Sequence, residues 1–195
     1  FRSEVDIVHG DEWSMDESGR VFSGRNMRRY SGNILAEMLV DNSVSIVTTM
    51  VRRRCFDEQG GFSDRYRVAD DYELWLRFSA QYRFLYIPEY FAYYRVMEEQ
   101  ISSDSLGRIR TNQAIIMDFL EEHPGILPRS TLRLSLARFH TRKARILANN
   151  GYRLEALKAA VEAIRLQPFS TAVWRGAARV MIPFGRNSHG RRSHA

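Results

Sequence analysis

The pattern of apolar and polar positions changes character near residue 103. Before it, short alternating or β-branched runs mix with helical ones; after it, helical periodicity alone continues. "VDIVHG" (5–10) alternates as a half-buried strand does, and "MDESG" (15–19) has turn chemistry. "SGNILAEMLV" (31–40) places Ile34, Leu35, Met38 and Leu39 at helical spacing, with Ser31 positioned as the N-cap. "SVSIVTTMV" (43–51) is β-branched and predicts a strand that runs into Arg52, Arg53 and Arg54. A short helical turn to Gln59 should break at Gly60 and Gly61, and a helix is expected over 72–80. "YRFLYIP" and "YFAYYRV" predict two further strands joined around Pro88 and Glu89.

Helical patterns follow at 105–122, 130–149, 152–166 and 170–181, parted by breaks such as "HPG" and "QPFS". Gly151, Ala156, Ala163 and Pro168 have the spacing of the later half of a tetratricopeptide unit, where small residues let helices pack closely. One such unit does not bury its own faces, since arrays of this kind need about three repeats. The hairpin is therefore expected to pack on the first domain or to end it. The tail "FGRNSHGRRSHA" has no apolar period and reads as disordered. The fold class expected is α/β, a mixed sheet with helices over 1–103, followed by an all-α extension over 104–183 and a basic tail over 184–195.

Charge changes that picture. The net charge of +6 conceals a balance of −6 over residues 1–125 and +12 over 126–195. Nearly all the cations of the second part are Arg, whose fork suits carboxylate or phosphate partners. Lipid headgroups, a phosphorylated ligand or an acidic face of the protein itself would each answer it, as would a solvated helical surface. Nucleic acid is not expected, because the aromatics needed for base stacking lie between 56 and 94, in the acidic part. The single cysteine, Cys55, forms no internal disulfide and has no metal spacing around it. No apolar run reaches the roughly 18–20 residues that cross a bilayer. The expected location is cytoplasmic, free or peripheral on the inner face of the cell membrane.

The chemistry-bearing stretch is "ADDYELWLRF", where Asp70 and Asp71 open a helix. One reading is structural: Asp70 caps, Glu73 closes a capping box, and Asp71 adds about 0.3–1 kcal/mol against the helix dipole. Its surroundings support another. "RRRCFDEQGGFSDRYRVADDYELWLRFSAQYRFLYIPEYFAYYRV" resembles the C-terminal half of the catalytic domain of family 2 glycosyltransferases, of the GT-A fold group. The elements shared are a paired Arg, an aromatic, a Gly-Gly-Phe turn, an acidic pair opening a Leu-Trp-Leu-Arg helix, an "IP" strand and a "YR" strand. "VDIVHGDEWSMDESGRV" and "SGNILAEMLVDNSVS" are similar to the segments that precede them, so the likeness spans about residues 4 to 103.

The resemblance implies a partial GT-A-like domain and an inverting sugar transfer. The donor would be a nucleotide sugar, and the acceptor a saccharide or lipid-linked hydroxyl. The product would belong to polysaccharide, glycolipid or glycoprotein assembly. It makes Asp71 the general base and gives Asp70 the place of the family's usual Glu. Gly60 and Gly61 could let backbone approach the acceptor or simply turn the chain. Trp75 could stack on a sugar or, at helical spacing with Leu74 and Phe78, belong to the core. Arg95 could meet diphosphate oxygens or pair with an acid. Met97 stands where the family shows a His, and a thioether is a poor ligand for Mg²⁺ or Mn²⁺. The divalent metal expected of the complete enzyme, with its Asp-x-Asp and nucleotide-binding half, would thus lie before Phe1. The chain begins Phe1-Arg2 and reads as a fragment, inactive without that half. The alternative is a non-catalytic helical adaptor on an anionic membrane surface or an acidic partner.

Overall fold

The computed structural model describes residues 4–24, 27–66, 68–97 and 104–181. Four strands form one mixed sheet: β1 (Ile7–Met15), β2 (Val21–Gly24), β3 (Met50–Val51) and β4 (Phe84–Arg95). β1 pairs antiparallel with β2 and β3 on one edge and parallel with β4 on the other. The turn read at 15–19 joins β1 to β2, where Asp16 accepts hydrogen bonds from Ser18 Oγ and the Arg20 amide.

Two of the expected strands prove to be one. β4 runs unbroken through Pro88, and its register against β1 slips between His9 and Asp11 and again between Asp11 and Glu12. Pro88 lacks an N–H for the ladder, and the slip absorbs that loss without ending the strand. Gly10 faces the slip; a Cβ there would run into the Phe91 ring and approach the Glu89 carbonyl oxygen at 2.8 Å. The strand expected over 43–51 shrinks to a 3₁₀ turn (Ile46–Thr48) and the two residues of β3. There the Thr48 and Thr49 hydroxyls bond the Ser45 carbonyl, and local bonding of this kind competes with a ladder.

Helix α1 is a single turn (Leu35–Met38), uncapped by Ser31. The Ser31 hydroxyl instead accepts from the Tyr86 amide, and Asn33 accepts from Leu35 N. Helices α2 (Arg53–Gln59) and α3 (Asp70–Ser79) follow as expected, and Gly60, at φ 78°, ends the first. The four later helices are α4 (Ser105–Glu122), α5 (Arg129–Asn149), α6 (Arg153–Leu166) and α7 (Thr171–Met181). Asp104 caps α4 by accepting from Leu106 N and Gly107 N.

One core joins the sheet to the first of these helices. Ile7, Met38, Leu39, Trp75, Phe78 and Phe84 bury against Ile109, Ile116 and Phe119 of α4 and Phe139 of α5. Ser135 Oγ of α5 donates to the Ala36 carbonyl at 2.7 Å, and Arg142 pairs with Asp41 at 2.9 Å. Helix α5 thus lies against the first part of the chain, and the residues read as a tetratricopeptide-like hairpin, 151–168, pack on α5. Helices α6 and α7 join α5 through a second cluster of Ala144, Leu147, Ala156, Ala159, Ala160 and Ala177. The alanines give the close approach; Gly151 serves instead as the turn residue, at φ 85° with open space where a Cβ would be. The tail expected to be disordered, 184–195, lies outside the described residues.

Candidate active site

The acidic pair opens α3, but its capping differs from the expectation. The N-cap is Ala69, in the left-handed region at φ 70°, and no side chain among the described residues caps the helix. Ala69 is the one non-glycine at positive φ among the described residues. Such a conformation costs an L-residue roughly 1–2 kcal/mol. Outliers of this kind concentrate where a site demands a particular chain path. Glu73 does not reach back to close a box; it pairs with Arg77 at 3.0 Å, one turn along.

Asp70 is exposed and its Oδ1 accepts from the Asp71 amide at 2.9 Å. Asp71 is half-buried and fixed at both oxygens. Oδ1 accepts from Tyr72 N at 2.8 Å, and Oδ2 accepts from Asn42 Nδ2 at 3.1 Å. Asn42 is held in turn, since its Oδ1 accepts from Val44 N and its backbone N–H donates to Asp41 Oδ1. Tyr72, buried beside this pair, donates its hydroxyl to the Met38 carbonyl at 2.6 Å, and burial pushes its ionisation far above the ordinary tyrosine range.

Behind Asn42 a polar floor runs along β1. Arg29 donates to the Ser43 carbonyl and to Asp11, which also accepts from the Tyr86 hydroxyl. Glu12, fully buried, accepts from Ser45 Oγ. His9, equally buried, bonds the Tyr30 carbonyl through Nε2 at 3.0 Å, while its Nδ1 has no partner among the described residues. Desolvation by burial lowers the His9 pKa to about 4.

Below about pH 6.5 the unfolded chain takes up a proton at His9 that the native state refuses until about pH 4. Stability from this residue is complete above pH 6.5 and falls between 6.5 and 4, by up to about 3 kcal/mol. Urea unfolding at about pH 7.5, 5.5 and 4.5 should show that loss, and His9→Gln should flatten it. An equal pH slope in the variant would assign the effect elsewhere.

The remaining candidates separate. Trp75 is 2 % exposed, edge-on to Phe78, and its Nε1 has no partner among the described residues. It belongs to the core and offers no face to a sugar. Arg95 donates Nη1 to the carbonyls of Asp16 and Glu17, clasping the β1–β2 turn rather than meeting the acidic pair. Gly60 and Gly61 border open space, and Arg77 ties the carbonyls of Gln59 and Gly61 to α3. Beside them a cleft of about 310 Å³ opens between the 61–66 loop, α3 and α4. It is lined by Arg65, Tyr66, Glu73, Arg77, Asp118 and His123, among others. Asp70 shares the α3 face of Glu73 and Arg77, at i, i+3 and i+7. Asp71 is turned instead toward Asn42.

Asn42, Ala69 and Arg29 carry no signal of these roles in the sequence. "DNS" after a helix reads as a turn, and nothing in it announces a partner 29 residues away. Among the described residues no three His, Cys, Asp or Glu side chains converge as a metal-ligand set, and Met97 is an exposed thioether. The described residues do not fit a divalent cation. No protein-family model matches the chain, and no curated protein matches it either.

Proposed function

We propose that the chain carries the acceptor side and the base of an inverting, GT-A-like glycosyltransferase whose donor-binding half lies outside residues 1–195. The observation that supports it most is Asp71. It is a carboxylate fixed at both oxygens, in the first turn of a helix entered through a strained residue. Asp71 takes the proton of the acceptor hydroxyl as that oxygen bonds the anomeric carbon. The bond from that carbon to the diphosphate breaks, and the nucleoside diphosphate leaves with the electron pair. Attack from the face opposite the leaving group inverts the centre. Fixing the carboxylate before substrate arrives removes reorganisation from the step. Asp70, one residue earlier and exposed, contributes negative charge at the helix start and a hydrogen bond to the Asp71 amide.

The test uses the chain joined to whatever its gene encodes upstream of Phe1, assayed with a panel of nucleotide sugars, Mg²⁺ or Mn²⁺, and membrane or polysaccharide extract as acceptor. Release of nucleoside diphosphate matched by labelled sugar in the product is the expected result. A panel on which no donor is turned over sinks the reading.

A further inference from the structure

We propose that the outer face of α6, with the α6–α7 connection, docks on an anionic lipid surface. Helix α6 buries one stripe, Ala156, Ala159, Ala160 and Ala163, against its neighbours. Opposite that stripe, where solvent should favour polar residues, stand Leu154, Leu157 and Val161, Leu154 being 77 % exposed. Lys158 and Arg165 lie on the same outer face by helical phase. Three residues past the end of α6, Phe169 is 97 % exposed, and Trp174 stands half-exposed with its indole N–H donated to the Pro168 carbonyl. The framework is fixed, because Arg133 of α5 caps the end of α6 by donating to the carbonyls of Arg165 and Leu166.

An apolar stripe, two exposed aromatics and a cationic border describe a helix that lies in the headgroup region. At about 1.5 Å per residue α6 is roughly 21 Å long, and no helix among the described residues is long and apolar enough to cross a membrane. The charge selects the lipid. Residues 126–195 carry 14 basic and 2 acidic side chains. Arg153, Lys158, Arg175 and Arg179 form no ion pair among the described residues. Glu155 and Glu162 of the same helix are already paired, with Arg110 and Arg165, so a second copy would bring Arg153 and Lys158 against their own kind. Nucleic acid would find aliphatic side chains where it needs stacking or hydrogen bonds. Anionic headgroups over an acyl boundary satisfy both features at once. This surface is independent of the transfer reaction proposed for Asp71.

The experiment is sedimentation of the full chain with vesicles of phosphatidylcholine alone or with about 30 % phosphatidylglycerol, at about 0.1 M salt. Partition onto the anionic vesicles should be about tenfold or more stronger, and should weaken by a similar factor near 0.5 M salt. Leu154→Ser combined with Phe169→Ser should reduce it about tenfold. Lys158→Glu, which leaves the apolar stripe in place, should reduce it about fivefold or more. All three positions are exposed, and circular dichroism checks that the helices persist. Equal partition on neutral and anionic vesicles overturns the proposal, as do variants that bind like the parent. So do concentration-dependent dimers that these substitutions abolish, or RNA that strips the protein from the vesicles.

Discussion

Asp71→Asn should lower sugar transfer by about 10²–10⁴-fold in kcat while donor binding is kept and the fold loses only about 1–2 kcal/mol. The amide keeps the carboxylate's size, and its oxygen still accepts one of the two hydrogen bonds from Tyr72 N or Asn42 Nδ2. Proton uptake is removed, and with it one of those two hydrogen bonds and a negative charge at the helix start. Asp70→Asn separates the proposed role from simple helix electrostatics, because both acids sit in the first turn of α3. If negative charge at the helix start were all that counts, the two variants would lose a similar few tenths of a kcal/mol of stability and no turnover. If Asp71 is the base, Asp70→Asn should cost less than about tenfold in kcat. Asn42→Ala should fall between them, with kcat reduced and KM kept, since Asn42 holds the base without touching substrate. Full turnover by Asp71→Asn ends the base assignment whatever the neighbours do.

Trp75→Ala should destabilise the fold by about 3–5 kcal/mol, the range for emptying a buried aromatic site. The side chain is fully enclosed by the core that links the sheet to α4 and α5, so its loss opens a cavity that no single neighbour can fill. An exposed aromatic that stacks on sugar would behave in the opposite way, with KM raised and stability kept. Trp75→Phe should cost distinctly less than its lost volume suggests. The indole Nε1 has no partner among the described residues, and removing it also removes a buried unsatisfied donor. Denaturant midpoints for the two variants, taken at constant slope, check both statements.

The four long helices were legible because 3.6-residue periodicity survives wherever one stripe is buried. They form at 105–122, 129–149, 153–166 and 171–181, within a residue or so of expectation. The sheet was less so. Pro88 looked like a break, yet two register slips carry β4 past it, and such slips depend on the partner strand rather than on local sequence. β-Branched residues at 43–51 looked like a strand, but the Thr48 and Thr49 hydroxyls found backbone carbonyls first. At the site, the acids and their helix were visible in "ADDYELWLRF". The way they are held was not: a left-handed Ala has no signature, and the side chain that grips Asp71 comes from a loop after α1. Trp75 was ambiguous in sequence because helical spacing says only that a face is shared, and burial decides what lies against it.

The grip of α5 on the first part of the chain has a consequence for how the acid is supported. Arg142 holds the Asp41 carboxylate, that carboxylate accepts from the Asn42 backbone N–H, and the Asn42 side chain donates to Asp71. Four residues stand in series, with the Asn42 backbone as one link, so the stiffness of the carboxylate is borrowed from a helix that begins nearly sixty residues later. Cutting the chain after α4 would leave Asp71 in the sequence and take away its scaffolding. The helical extension is therefore no detachable ornament but the buttress behind the acid.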